Sequence, residues 1–549
     1  MIKTLGQLKN CFEHTLVSCN GETECLANEK EKIYGTKINS LVFDSRQVTE
    51  GALFFALPGT HTTGNKFISS ALKNGAAAVV FEGSFSSEEK EQIQNAISET
   101  KSECCFIKVN SSRFAMSPVS ACFYDNPSEK LIVYGVTGTE GKSSTVAFIW
   151  QLLMKNGIKS GFISTVQYSL GGEAIANPEH QTTPEAPIVQ KELYEMVQNG
   201  CQCAVVESSS HGLSKKTNRL GDVLFDCSIF MNVTLEHLEF HKTYDQYKFD
   251  KANLFRALEE NSHTKIICGK ETKINSCGIV NLDDDAAKYF ADCTTKKIFG
   301  FTTKNETYKN SFLEKKDILY LDKIESSSCD LSFSFLFDEK KYLCKANVPG
   351  AFNAFNLSAA LLAISYTQNL SLEKIIDGMK SLESVKGRMT VINQNQPFEV
   401  IVDYAHTPSS FQTIFPPVRQ RAKGKMLCLF GSGGERDLTK RPIQGEIAAK
   451  YCDTVILTDE DPRGEDSVEL LEMIAKGSRK AGKTDNKDLF IIPDRPKAIR
   501  YAFSIAEEND IVLLLGKSHE NSIIYKDYVM KYDEIAEAKK ALEEMGYKK

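Results

Sequence analysis

The residues with the clearest chemistry lie in one short stretch, GVTGTEGKSST, from Gly135 to Thr145. Lys142 supplies a cation, Ser143 a hydroxyl that can reach Mg²⁺, and the glycines let backbone N–H groups converge on one point. Such a run cradles phosphate, because the N–H groups of the loop and of the following helix N-terminus both point at the anion. The strict phosphate-loop spacing asks for glycine six residues before the lysine. Val136 holds that position and Gly135 stands one earlier, so the loop is a variant. It also carries Glu140 at its centre. A carboxylate beside a triphosphate repels it unless a cation intervenes, so Glu140 is expected either to point away or to touch the metal shell.

Further polar groups stand where apolar runs end. Glu207 follows CAVV, His237 lies in NVTLEHLEFH, and Lys251 sits 14 residues on in YKFDKANLF. Singly, each has an ordinary structural explanation. As a set downstream of a phosphate loop, they predict a Mg²⁺ site in a nucleotide enzyme. The sixteen cysteines are irregularly spaced, with no C-x-x-C pair, and read as reduced, mostly buried thiols. Cys11, His14, Cys19 and Cys25 match no zinc spacing.

These groups need a scaffold. LIVYGVT reads as a buried strand and SSTVAFIWQLLMKNG as a helix capped at Asn156–Gly157, which places the phosphate loop at a strand-to-helix turn. The first ~110 residues alternate short strands with one amphipathic helix, as in a small α/β domain. GFIST, CAVVE, SIFMNVT and KIICGK then suggest an open parallel sheet, and 302–348 looks antiparallel. From about Val385, five strands interleave with helices in a second doubly wound, Rossmann-like unit. The fold class is thus α/β, with three domains expected at 1–112, 113–384 and 385–549. Length and composition agree: 549 residues, 42% hydrophobic and 25% charged. The net charge of −6 without a basic block speaks against nucleic acid as partner. The apolar runs are too short for membrane insertion and the N-terminus has no apolar signal core, so a cytoplasmic address is expected; the chain is taken as a monomer, although sequence does not give the oligomeric state.

The ordered pieces FDSR, GALFFALPGTHTTG, GVTGTEGKSS, QTT, ESSSHGL, NVTLEHLEFH, DKANLF, FNAFN, GRM, VDYAHTP, FGSGGERD, KRP, EDPR and GKSHE resemble the Mur ligase family over nearly the whole chain. The resemblance is closest to the branch that adds the third peptide residue. It implies a UDP-binding N-terminal domain, a central ATP-binding domain and a C-terminal amino-acid-binding domain. It implies ATP-dependent addition of lysine, ornithine or meso-diaminopimelate to UDP-N-acetylmuramoyl-L-alanyl-D-glutamate through an acyl phosphate, in peptidoglycan precursor synthesis. Carried over by position, Phe43, Ser45, Thr60, His61 and Thr62 would hold the uridine nucleotide. Gln181, Thr182, Thr183, Ser209 and Arg219 would hold the muramoyl dipeptide. Gly138, Thr139, Glu140, Gly141, Lys142, Ser143 and Ser144 would wrap the ATP phosphates, with Asn353, Arg388 and Asp403 also on ATP. Ser143, Glu207, His237 and Lys251 would serve Mg²⁺, with Lys251 carbamylated by CO₂ so that it presents an anionic oxygen. Lys142, Glu207, His237 and Lys251 are the implied catalytic set. Arg436, Glu460, Asp461, Pro462, Arg463, Gly516 and Glu520 would form the amino-acid pocket.

The chain departs from the family pattern at four places. Glu140 replaces the usual Asn, Gln181 stands in QTT for NTT, and Ser518 in GKSHE replaces a Gly at low cost unless that position needs φ > 0. Asp461 stands where diaminopimelate-adding members carry Asn. An added carboxylate favours a distal ammonium, which tilts the expectation toward lysine or ornithine, while Arg463 keeps diaminopimelate open. Asp461 and Glu520 are expected to face the substrate amines. Two other functions compete. A folylpolyglutamate synthase would lack the N-terminal segment with FDSR and GTHTTG, and a Mur-like binding protein would have lost turnover through Glu140.

Overall fold

The computed structural model describes residues 1–59, 63–177, 181–234, 236 and 238–548, with backbone only for 238 and 239. The chain divides into two compact units. One comprises Met1–Gly135, Ile158–Ser228 and Asp250–Ser276, the other Val136–Gly157, Ile229–Phe249 and Cys277–Lys549.

The first unit contains a five-stranded sheet, ordered Thr15–Val17, Cys105–Val109, Ala78–Glu82, Ala52–Phe55, Ser40–Val42. Its strands are parallel except for the first, which is antiparallel to its neighbour. The period of two along a strand sorts the side chains onto two faces. Phe55, Val80 and Ile107 pack with Met116 and Val119 of the helix Ser112–Phe123. Phe54, Val79 and Phe106 pack with Leu72 and Ile93 of the helices Ile68–Lys73 and Ser87–Thr100. Full burial of each such side chain contributes about 2–3 kcal/mol. The sequence reading foresaw one helix here. Ser87–Thr100 escaped it because only Glu89, Ile93 and Ala96 are buried in an otherwise polar segment, and its start is set by a capping box between Ser86 and Glu89.

Also in this unit, Cys203–Glu207 pairs in parallel with Ser160–Ile163. KIICGK does not join a parallel sheet as expected. Thr264–Ile267 turns back antiparallel on Lys270–Lys273, and both turn residues, Cys268 (φ 48°) and Gly269 (φ 80°), have the positive φ that a tight two-residue hairpin needs. Asp226 anchors the entry to this hairpin. Its carboxylate takes hydrogen bonds from Lys265 Nζ (2.5 Å), His263 Nδ1 (2.9 Å), Asn261 Nδ2 (2.9 Å) and Val133 N (2.9 Å).

The second unit contains the parallel strands Cys277–Asn281, Lys297–Thr302 and Ile318–Ser326, followed by antiparallel Leu331–Phe337 and Lys340–Ala346. The antiparallel character expected for 302–348 is present. Cys277–Asn281 was not foreseen as a strand. The unit's other sheet has six strands, ordered Thr390–Ile392, Glu399–Asp403, Ile511–Leu515, Met426–Phe430, Thr454–Leu457, Leu489–Ile491. Five are parallel, as the sequence reading anticipated; the sixth, Thr390–Ile392, is an antiparallel edge. Both faces are covered, Ile401, Cys428 and Leu513 on one side and Val400, Leu427 and Val512 on the other. The carboxyl ends of adjacent strands in such a sheet form a crevice for ligands, and Asp403 and Leu515 stand at two of those ends.

All sixteen cysteines are free thiols, eight of them buried, so burial is less general than expected. Among the described residues no group of His, Cys, Asp and Glu is arranged as a metal cluster, and no helix is long and apolar enough to cross a membrane. His14 bonds Phe12 O and Tyr34 Oη rather than a metal.

Candidate active site

The phosphate loop joins the fully buried strand Ile132–Thr137 to the helix Lys142–Lys155. Gly141 has φ +84°, and a Cβ there would lie 2.7 Å from Asn356 Oδ1, so both backbone and space require glycine. Asn232 pins the loop: its Oδ1 accepts from Thr139 N (3.1 Å) and Glu140 N (2.8 Å), and its Nδ2 donates to Glu140 O (3.2 Å). Lys142 Nζ folds back onto Thr139 O at 2.7 Å. Glu140 is held by a side chain far away in the sequence. Its Oε1 accepts a hydrogen bond from Thr407 Oγ1 (3.0 Å), the N-cap of the helix Pro408–Arg421. Burial first, and the charge of Glu236 second, push its carboxyl up to about 7, against the opposing pull of Lys142 and Arg388.

Glu140, Gly141 and Ser144 share one cavity with Asn356, Arg388 and Asp403. Arg388 Nη2 donates to Ser143 Oγ (3.2 Å), and its guanidinium lies 4.9 Å from the centre of the Tyr404 ring. Asp403 accepts from Met389 N and Ala405 N, both at 2.8 Å, and burial raises its carboxyl despite Arg388. Asn353, expected on the nucleotide, stands a step back. It donates to Pro349 O (2.6 Å) and accepts from Asn356 Nδ2 (2.7 Å), so Asn356 lines the cavity in its place.

Within the first unit, Thr183 links Glu207 and Ser209. Its hydroxyl reaches Glu207 O and Ser209 Oγ, each at 2.9 Å, while Arg219 Nη1 donates to Thr183 O at 2.9 Å. Arg219 is also paired with the buried Glu185 (2.9 Å), and burial lowers its affinity for a proton. The Glu207 side chain is 1% exposed and accepts from Ser164 Oγ (2.5 Å) and Thr165 N (2.9 Å). Lys251 is equally hidden, at 2%. Gln181 is exposed and Thr182 half-buried. Phe43 packs beside the core of the five-stranded sheet, and Ser45 opens a turn capped by Asp44. Thr60, His61, Thr62 and His237 lie outside the described residues.

The proposed pocket residues of the six-stranded sheet form a dense charge array. Lys517, fully buried, donates to Asp461 Oδ1 (2.8 Å) and Glu520 Oε2 (2.5 Å). Asp461 Oδ1 also accepts from Ile524 N at 2.9 Å. Asp461 and Glu520, the two carboxylates expected to face the substrate amines, both pair with this lysine of the chain. Glu460 Oε2 is buried with no hydrogen-bond partner among the described residues, and burial raises the pKa of this carboxyl. Gly516, at φ +96°, leaves room for it: a Cβ there would sit 2.8 Å from Glu460 Oε2. Pro462 is buried, and its carbonyl approaches Gly434 so closely that a Cβ at that glycine would be 1.9 Å away. Arg463 has φ +53° and a buried Nε with no hydrogen-bond partner among the described residues, and Arg436 is exposed. Ser518 does need positive φ, at 47°. Its hydroxyl bonds Gly387 O (2.5 Å), an interaction that glycine could not make.

Three family descriptions match this arrangement in order: the Mur ligase family catalytic domain over 37–113, the Mur ligase middle domain over 136–364, and the Mur ligase glutamate ligase domain over 387–518. A UDP-N-acetylmuramyl-tripeptide synthetase of Treponema denticola is 51% identical over 534 residues, 94% of this chain and 95% of that protein. The chain belongs to the Mur ligase family. A UDP-N-acetylmuramoyl-L-alanyl-D-glutamate–2,6-diaminopimelate ligase of Clostridium acetobutylicum is 34% identical, covering 91% of this chain and 93% of its own. Among solved structures, a MurF ligase from Thermotoga maritima in complex with ADP shares the fold, with a TM-score of 0.61, 19% identity and coverage of 92% and 97%. The three-domain α/β architecture of Mur ligases is that of this chain.

Sequence reasoning on this Mur ligase missed Asn232, Asn356, Thr407, Tyr404 and Lys517. Each sits inside or beside a quoted motif, but its role depends on a partner at least 56 residues away or on burial, which spacing does not encode.

Proposed function

We propose that this Mur ligase joins a diamino acid to the D-glutamyl carboxylate of UDP-N-acetylmuramoyl-L-alanyl-D-glutamate, at the expense of ATP, in peptidoglycan precursor synthesis. The observation that carries the reading is the single cavity in which the phosphate loop meets Arg388 and Asp403. The N-terminal match over 37–113 supports a nucleotide-sugar acceptor rather than the folate acceptor of a folylpolyglutamate synthase. The domains are taken as 1–112 for the UDP moiety, 113–384 for ATP and 385–549 for the amino acid, in a cytoplasmic monomer.

A carboxylate is a poor electrophile, so the D-glutamyl γ-carboxylate first attacks the γ-phosphate of ATP, giving an acyl phosphate and ADP. Lys142 is the cation of the loop and offsets the charge in transfer once it releases Thr139 O. Asn232 holds the loop N–H groups in place. Thr183, Ser209 and Arg219 orient the acceptor peptide. Asp403 and Arg388 seat the nucleotide and exclude water that would hydrolyse the acyl phosphate. The deprotonated amine of the incoming amino acid then attacks the acyl carbon, and phosphate leaves.

The Mg²⁺ ligands that the family resemblance implies remain Glu207, a buried carboxylate at a strand end, with His237, Ser143 and Lys251, the last as a CO₂-derived carbamate. When bound, Mg²⁺ supplies charge stabilisation at the phosphates.

Lys517 pairs with Asp461, which weakens the lean toward a distal ammonium at that carboxylate. Arg436 and Arg463 together fit a substrate with two carboxylates, and Glu460 fits an ammonium. The reading therefore favours a diaminopimelate-like diacid over lysine or ornithine. Phosphate release from ATP, measured with and without the UDP-muramoyl dipeptide and with lysine, ornithine and diaminopimelate in parallel, tests it. No release that depends on the dipeptide would refute the ligase, and a preference for lysine or ornithine would refute the diacid.

A further inference from the structure

Tyr404 has no role in the reaction as described, yet it lies between the two halves of its machinery. It follows Asp403 at the carboxyl end of the strand Glu399–Asp403, next to the strand Ile511–Leu515, whose end leads into Lys517 and Glu520. On one side, the Arg388 guanidinium covers its ring at 4.9 Å, and Arg388 in turn donates to Ser143 of the phosphate loop at 3.2 Å. On the other, its hydroxyl donates to Glu520 Oε1 at 3.1 Å. Glu520 and Asp461 share Lys517. His406 and His519 flank the ring, with centroids 4.6 and 4.7 Å away. The contacts run without a gap from Ser143 through Arg388, Tyr404, Glu520 and Lys517 to Asp461.

We propose that Tyr404 is a positioning residue that couples the nucleotide site to the amino-acid pocket. Its ring fixes the Arg388 guanidinium, and its hydroxyl fixes the Glu520–Lys517–Asp461 array. An Arg388 that moves to meet the nucleotide phosphates must therefore shift or release the ring, and the pocket responds. The phenol suits this role because burial and the nearby Glu520 keep it far above its usual range, so it stays a neutral donor. Neither contact alone is large. Spatial continuity is not itself coupling, so the test must measure coupling.

The proposal rests on the nucleotide and amino-acid assignments above, and the experiment separates them. Backbone hydrogen exchange is followed with and without ADP in the wild type, Tyr404→Phe and Tyr404→Leu. ADP should protect 138–144 in all three. It should protect 516–524 in the wild type and lose that effect in Tyr404→Leu, where both ring and hydroxyl are gone. Tyr404→Phe keeps the ring, so its KM for ATP should stay within about twofold, while its KM for the amino acid rises about tenfold or more, as loss of a bond to a charged group requires. Protection of 516–524 that persists in Tyr404→Leu, or equal effects of Tyr404→Phe on both KM values, would overturn the coupling. Absence of ADP protection at 138–144 in the wild type would instead overturn the nucleotide assignment and the coupling with it.

Discussion

Glu140→Gln isolates the effect of a carboxyl group in the phosphate loop. The glutamine keeps the shape and can still accept the Thr407 hydroxyl, so only the charge is removed. In the free protein, Glu140 titrates near 7 because of burial and Glu236. A carboxylate ~5 Å from one phosphate charge costs about 3 kcal/mol at an effective dielectric of about 20. Holding a proton at pH 8 on a group that titrates near 7 costs about 1.4 kcal/mol. The proton is the smaller cost, so nucleotide should bind with Glu140 neutral. The sign follows. Below pH 7 the carboxyl already carries its proton and binding is unimpeded. Above pH 7 each unit should weaken binding by up to about tenfold, because a proton must be taken up. Calorimetric titration with ADP between pH 6 and 8.5, in buffers of different ionisation enthalpy, measures both affinity and proton uptake. Ionisation of the nucleotide is common to both proteins and cancels in their ratio. The wild type should lose affinity relative to Glu140→Gln by about tenfold from pH 7 to 8.5 and take up nearly one more proton at the upper end. Parallel pH profiles for the two proteins would refute the reasoning, as would a Gln variant that binds more weakly at every pH.

Lys251→Ala should abolish ligation while leaving the fold intact, and a short carboxylic acid in the assay should restore part of it by replacing the carbamate oxygen; full activity of the alanine variant would remove Lys251 from the site. Asp461→Asn should shift the preference among lysine, ornithine and diaminopimelate by less than about threefold, since Lys517 shields that carboxylate, whereas Arg463→Ala should lower kcat/KM for diaminopimelate about tenfold or more, the value of a charge-assisted bond. Competition assays with the three amino acids decide between this and a direct role for Asp461. Asp226→Ala should destabilise the first unit by about 3–5 kcal/mol in urea unfolding, because it leaves the buried Lys265 without its carboxylate; a loss below about 1 kcal/mol would show that the network is dispensable.

The sequence by itself determined the family, the phosphate loop with its strand and helix, and the doubly wound character of the last third of the chain. These are local properties. Apolar period, glycine placement and the order Lys–Ser need only neighbouring residues to be read. It also located Glu207, Thr183, Ser209 and Arg219, which the fold brings together in one unit. What it could not decide was which polar groups are already engaged. Asp461 looks like a free carboxylate in EDPR, and only the sheet order, which sets the ends of Thr454–Leu457 and Ile511–Leu515 on either side of Met426–Phe430, places Lys517 2.8 Å away. Glu140 looks like a repulsive intruder in the loop, and only burial, with the charge of Glu236 nearby, pushes its carboxyl up to about 7. KIICGK has the pattern of a core strand, and two positive φ values turn it into a hairpin. For Asp461 and Glu140 the deciding energy is desolvation or a hydrogen bond between residues distant in sequence. Both depend on burial and on close approach in space, quantities that exist only once the chain has folded.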